Sequence, residues 1–179
     1  MKSKFTILFS LIAFCGVTTS AIAEMASDKV LSATLNDGHW GGKLVPKGQQ
    51  CLKFGGNQPA TPPLKISGIP VRTNLLILEY SDRSYQPMNN GGHGRMAYAL
   101  SSPVQSLELP AVSGHSFDLP TGFMTLEAHR NPKWDQAGAY MPPCSGGKGN
   151  SYYVTVQAVH YDGVKTDVLA KTILEMGKF

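Results

Sequence analysis

Histidine is the side chain in this sequence best suited to chemistry near neutral pH, and one of the five has an unusual setting. His93 lies in Gly91-Gly92-His93-Gly94-Arg95-Met96. An imidazole donates a directional hydrogen bond to an anion and titrates close to physiological pH. A lone histidine in a glycine-rich loop is nevertheless a weak signal. Asp82, in Tyr80-Ser81-Asp82-Arg83-Ser84, follows an apolar run, where aspartate most often serves a solvated turn. Ser84 or Ser151 with His93 and Asp82 would make a hydrolytic triad only with all three within hydrogen-bond reach. His115, His129 and His160 stand apart with no H-x-H or H-x-x-x-H pairing, so no metal site is expected. The chain has no G-x-S-x-G elbow, phosphate-binding P-loop or dinucleotide fingerprint, so no cofactor is expected either. His39-Trp40 follows an Asn-Asp-Gly turn and reads as a hairpin feature.

The chain opens with Lys2 and Lys4, an apolar stretch from Phe5 to Val17, and Ala21-Ile22-Ala23. A basic start, a short apolar core and a small-residue end describe a secretory signal peptide over residues 1–23. A bilayer core of about 30 Å needs roughly 20 apolar residues, so the stretch is too short for a membrane span. Cys15 follows Phe14 inside the apolar core, and a lipid-modified cysteine would want a small neighbour there. The expected product is periplasmic or secreted, with one domain over residues 24–179, long enough for a real core. Loss of Lys2 and Lys4 lowers the formal charge from +4 to +2. So small a charge makes no electrostatic case for nucleic acid or a stable membrane association. Cys51 and Cys144 remain, and an even pair in an exported chain points to a disulfide; two separate buried thiols are the alternative.

Short strands joined by glycine- and proline-rich loops must carry these residues. The expected strands are Leu31–Leu35, Leu64–Ser67, Leu75–Tyr80, Met96–Leu100, Phe123–Glu127 and Tyr152–His160. Leu75-Leu76-Ile77-Leu78 is continuously apolar, so both of its faces should be covered. Tyr152–Val159 is rich in aromatic and β-branched residues, as suits a central strand. Near the end, Val168, Leu169, Thr172, Ile173 and Met176 form a stripe at helical spacing. Thr166 is a candidate cap and Gly177 a candidate stop, so a helix over Asp167–Met176 is expected to cover a sheet face.

Two segments carry a resemblance. Cys51-Leu52-Lys53-Phe54-Gly55-Gly56-Asn57 runs on through Thr61-Pro62-Pro63-Leu64 to Gly68-Ile69-Pro70. Met141-Pro142-Pro143-Cys144 leads through a glycine-rich stretch to Asn150-Ser151-Tyr152-Tyr153-Val154-Thr155-Val156. Together, and in this order, they resemble the two signatures of the phosphatidylethanolamine-binding protein (PEBP) family, which includes the Raf-kinase-inhibitor-like proteins and a bacterial periplasmic branch. The resemblance spans roughly Leu31 to Lys171 and implies a mainly β fold, a PEBP-like antiparallel β-sandwich with the C-terminal helix. It favours pairing of Cys51 with Cys144, because both signatures approach one ligand site. It also implies a small anion pocket that accepts phosphate-like groups.

Carried over by position, the implied pocket residues are Asp82, His93, Asn150 and Tyr152, walled by Pro63 and Pro143. Asp82 would hold and tune His93, and the Tyr152 hydroxyl would donate to an anion. The Gly91-Gly92 pair also permits a slipped alignment that puts Gly94 in the site and His93 at its rim. The family's His-Arg-Tyr is Asn150-Ser151-Tyr152 here, which removes an arginine and weakens the implied phosphate affinity. Lys148 and Arg95 are the cations near enough in sequence to restore charge. The leading functional reading is an exported small-ligand-binding protein with a degenerate phosphate- or anion-type pocket and no catalysis. A protein-interaction or inhibitor module on the same fold, using a protein partner, and a secreted hydrolase are the alternatives.

Overall fold

The apolar, β-branched runs do form strands in the computed structural model, which describes residues 30–179. The proposed signal peptide lies outside the described residues. Eight strands are seen among these residues: β1 Ser32–Leu35, β2 Leu64–Ser67, β3 Leu75–Asp82, β4 Arg95–Ala99, β5 Ser106–Leu109, β6 Phe123–Glu127, β7 Ser151–Tyr161 and β8 Thr166–Lys178. They build a three-stranded sheet in the order β1-β2-β5 and a five-stranded sheet in the order β6-β4-β3-β7-β8. Every pairing between named strands is antiparallel.

One apolar core joins the sheets. Leu64, Ile66 and Leu109 from the smaller sheet meet Leu76, Leu78, Met96, Val154, Val156 and Ala158 from the larger one. The continuous run at β3 behaves as its composition requires: Leu76, Ile77 and Leu78 are all buried, in a central strand paired on both sides. The expected strands appear within one or two residues of their expected ends, and β5 is an addition. The Asn-Asp-Gly turn also differs from expectation. Asp37 Oδ1 accepts the His39 amide at 2.7 Å, but β1 pairs with β2 rather than closing a hairpin there, and Trp40 packs into the core.

The expected C-terminal helix is not formed. Thr166–Lys178 is a strand along the whole length of β7. Two periodicities competed for these residues, and the strand's period of two won. Ala170, Thr172, Leu174 and Met176 turn inward, while Lys171, Ile173 and Glu175 face out. Val168 and Ile173, buried in the helical reading, are 56 % and 52 % exposed. As a strand the segment pairs the edge of β7 that a helix would leave open, and tertiary context overrides the local pattern. Asp162-Gly163 makes the connection, its Oδ1 accepting the amides of Val164 and Lys165 at 2.9 and 2.8 Å. An Asp-Gly pair between two β-rich runs is a strong hairpin signal. Gly177 ends no helix. A side chain there would meet the Leu44 carbonyl carbon at 2.6 Å, where the chain crosses the end of β8.

Candidate functional site

Two neighbouring strands at one end of the larger sheet begin the site. β3 ends at Asp82 and β7 begins at Ser151, with Asp82 opposite Tyr152 in register. On the other side of β3, the His93 amide donates to the Tyr80 carbonyl at 3.0 Å and the Tyr80 amide to the Gly94 carbonyl at 3.0 Å. Strand pairing thus fixes Asp82, His93 and Tyr152 around one point. The glycine-rich loop makes room for this. At Gly92 a side chain would lie 2.3 Å from the Met88 Cα, and at Gly94 (φ +120°) it would lie 1.9 Å from the Ala139 carbonyl oxygen.

The result is a cavity of about 430 Å³. Asp82, His93, Asn150 and Tyr152 all line it, and Lys148 lies with them. His93 is inside the cavity lining rather than displaced by Gly94. Pro63 and Pro143 are not lining residues. The Pro63 carbonyl accepts the Asn36 amide at 2.9 Å and the Pro143 carbonyl accepts the Cys51 amide at 2.9 Å, so both spend their backbone on loop packing. Arg95 is engaged elsewhere, 2.9 Å from Glu79 and 3.5 Å from Glu127.

Asp82 does not hold His93 by a hydrogen bond. Its Oδ1 accepts the Ser84 amide at 2.8 Å and its Oδ2 accepts Asn150 Nδ2 at 2.6 Å. His93 Nδ1 instead lies 2.7 Å from the Met141 carbonyl oxygen. A carbonyl only accepts, so Nδ1 carries the proton and donates, leaving Nε2 with a lone pair in the neutral ring. Burial pushes the imidazole down to about 4, against the opposing pull of the Met141 carbonyl and the Asp82 charge. His93 is therefore neutral at physiological pH and presents a hydrogen-bond acceptor. The Tyr152 ring meets it edge-on at 5.3 Å between centroids. Burial pushes the Tyr152 phenol up to about 12, with the Ser145 side chain among its hydrogen-bond partners, and its oxygen accepts the Cys144 amide at 3.2 Å; the phenol keeps its proton at physiological pH.

The hydrogen bonds of a hydrolytic triad are not formed. The Ser84 hydroxyl accepts the Ser151 amide at 3.1 Å, Asp82 is committed as described, and His93 Nδ1 is held by Met141.

Sequence reasoning missed the rest of the lining: Tyr85, Met88, Asn131, Trp134, Met141 and Ser145. Several come from the irregular segment before β7, which side chains rather than strand pairing hold in place. Trp134 Nε1 donates to the Cys144 carbonyl at 3.3 Å. His115 Nε2 lies 2.6 Å from Asp135 Oδ2, both side chains buried. Lys53 Nζ sits 3.3 Å over the Trp134 ring. Cys144, itself a lining residue, forms a disulfide with Cys51, their Cα atoms 5.2 Å apart. Asp135 approaches both sulfurs, but the two cysteines are consumed by the bond and offer no thiolate to a metal.

No protein-family profile matches the chain, and no curated protein sequence matches it. Among solved structures it is similar to a Chlamydia trachomatis protein described as a homologue of phosphatidylethanolamine-binding protein. That likeness has a TM-score of 0.50 at 20 % identity, over 86 % of this chain and 98 % of that one. At this identity the likeness establishes the fold: a mainly antiparallel, PEBP-like arrangement of two sheets.

Proposed function

We propose that the protein is an exported, non-catalytic small-ligand-binding protein of the bacterial periplasmic PEBP type, and that its ligand is a small oxyanion carrying a proton, phosphate being the type case. The observation that carries this reading is the convergence of Asp82, His93, Asn150, Tyr152 and Lys148 on one cavity. Lys148 supplies positive charge, and the Tyr152 hydroxyl supplies a donor. Asp82 and His93 Nε2 supply acceptors, which suit a P–OH group and repel a fully ionised oxygen. The degenerate His-Arg-Tyr segment thus trades charge for selectivity toward the protonated form. Export is supported by the leader-like residues 1–23 and by the disulfide, which fits an oxidising compartment. No helix among the described residues is long and apolar enough to cross a membrane.

Calorimetric titration with inorganic phosphate tests the proposal. Saturable binding is expected, falling as pH rises through the second ionisation of the phosphate and roughly three- to tenfold weaker in Lys148→Ala. Tyr152→Phe removes one donor worth about 0.5–1.5 kcal/mol and should weaken binding by a similar factor. Absence of saturable binding at millimolar phosphate would sink the anion reading. Capture of a defined protein partner under those conditions would then favour the interaction-module alternative, and turnover of ester substrates would favour the hydrolase.

A further inference from the structure

Trp134 is 44 % exposed, yet its ring is held on several sides. Its amide donates to the Asn131 carbonyl at 3.1 Å, and its Nε1 donates to the Cys144 carbonyl at 3.3 Å. Lys53 Nζ stands 3.3 Å from the ring centroid, and the Phe54 ring packs at a tilt, 6.3 Å between centroids. Neither Lys53 nor Phe54 lines the cavity, whereas Trp134 does. A large aromatic ring fixed in orientation and open to a cavity is a preorganised surface for stacking. Its place relative to the oxyanion site is also fixed. Cys144 accepts from the indole through its carbonyl and donates through its amide to the Tyr152 hydroxyl at 3.2 Å. One residue's backbone therefore separates the indole from the phenol, and the disulfide tethers that residue.

The cavity also asks for more ligand than an inorganic anion supplies. Its volume of about 430 Å³ lies in the range of pockets that enclose organic ligands, about 300–1,000 Å³. Tyr85, 50 % exposed, adds a second aromatic side chain to the same lining. We propose that Trp134 determines specificity, and that the ligand is a small phosphate monoester whose phosphate is carried on a planar aromatic ring that stacks on Trp134. This inference rests on the oxyanion reading and names the ligand class. An aryl phosphate keeps one P–OH below its second ionisation, at about 6, so Asp82 and His93 Nε2 still have a hydrogen to accept. The short link from Trp134 through Cys144 to Tyr152 requires the ring beside the phosphate. An ester oxygen places it there, and a sugar spacer does not.

Calorimetric titration with phenyl, cyclohexyl and methyl phosphate at about pH 5.5, below the second ionisation of the esters, tests this. Phenyl phosphate should bind at least about tenfold tighter than methyl phosphate, through burial of the ring. It should bind roughly three- to tenfold tighter than cyclohexyl phosphate, whose ring is of similar size but not planar. Each comparison is a ratio within one protein, so a general loss of phosphate affinity in a variant cancels. The phenyl-over-cyclohexyl preference should vanish in Trp134→Leu and persist in Trp134→Phe. Both variants lose the indole N–H bond to Cys144, so a merely structural role would move them alike. Phe117 is exposed and outside the cavity lining, and Phe117→Leu should keep the preference. NMR of the wild type covers a variant that does not fold. Phenyl phosphate should shift the Trp134 indole N–H signal and leave that of buried Trp40, the other of the two tryptophans, in place. Saturable methyl phosphate binding without a preference for phenyl phosphate, a preference unchanged in Trp134→Leu, or an unshifted Trp134 signal would overturn the stacking site and leave the oxyanion reading standing. Adenosine 5′-monophosphate binding tighter than phenyl phosphate would overturn the directly attached ring. No saturable binding of any of these phosphates would overturn both readings.

Discussion

Lowering the pH from 7.5 to 5.0 should destabilise the protein through His93, whose imidazole burial holds below its ordinary range. An imidazole free in the unfolded chain titrates near 6.5, whereas burial holds His93 at about 4 in the folded state. Between those values the unfolded chain binds the extra proton, so stability is present in full above 6.5 and is lost as pH falls through about 4. At 1.36 kcal/mol per tenfold, the whole effect is about 3 kcal/mol. Linkage places roughly 2 kcal/mol of it between pH 7.5 and 5.0. Burial also lowers His129, so the wild-type slope contains more than one group. Subtracting the slope of His93→Gln, whose amide can still donate to the Met141 carbonyl, isolates His93. Urea unfolding across this range should show wild type losing about 2 kcal/mol more than the variant. Equal slopes, or an NMR titration of His93 centred near 6.5, would refute the buried neutral imidazole.

Removing the disulfide as Cys51→Ala/Cys144→Ala opens a link between residues 93 apart in sequence. The chain-entropy model assigns it about 4–5 kcal/mol, so a fall in Tm of roughly 10–18 °C is expected by differential scanning calorimetry, and a change under a few degrees would contradict it. Gly94→Ala forces a side chain into the Ala139 carbonyl at φ +120°. Steric crowding and left-handed strain together predict a loss of about 2–5 kcal/mol in denaturant unfolding, and a neutral result would show that the loop relaxes freely. Replacing Arg95 should leave phosphate affinity unchanged while Lys148→Ala lowers it, because Arg95 is held by Glu79 and Glu127; isothermal titration of both variants distinguishes them.

The strands were legible where composition and burial agree. Leu75-Leu76-Ile77-Leu78 has no polar face to misplace, and Tyr152–Val159 has few residues a helix would prefer. The end of the chain misled because Val168, Ile173 and Met176 satisfy a helical stripe while Ala170, Thr172, Leu174 and Met176 satisfy a strand. The hairpin turn at Asp162-Gly163 carried the deciding signal. β5, Ser-Leu-Glu-Leu, is as short as β1 and β2 but follows a proline-containing loop and lies in neither family motif. Asp82, His93, Asn150 and Tyr152 were reachable because strand ends place them and family motifs flag those ends. Trp134, Met88 and Met141 sit in loops set by contacts such as His115–Asp135, which leave no periodic trace. The role of His93 could not be read either: its charge depends on burial, and its free nitrogen depends on which carbonyl the other one meets.

The pairing of β3 with β7 has a consequence for how the chain reaches its fold. These strands lie in the middle of the larger sheet, yet three other strands, β4, β5 and β6, separate them in sequence. The β3–β4 and β7–β8 pairs can close early, since each joins neighbours along the chain. The central edge-to-edge pairing of the larger sheet cannot form until one pair meets the other, and loop-closure entropy must be overcome before that contact forms. Folding should therefore be limited by the docking of two preformed ribbons, in the millisecond-to-second range of non-local β topologies. Until residues 151–178 are available, β3 keeps an open apolar edge. The cavity, whose walls come from both ribbons, is among the last features to exist.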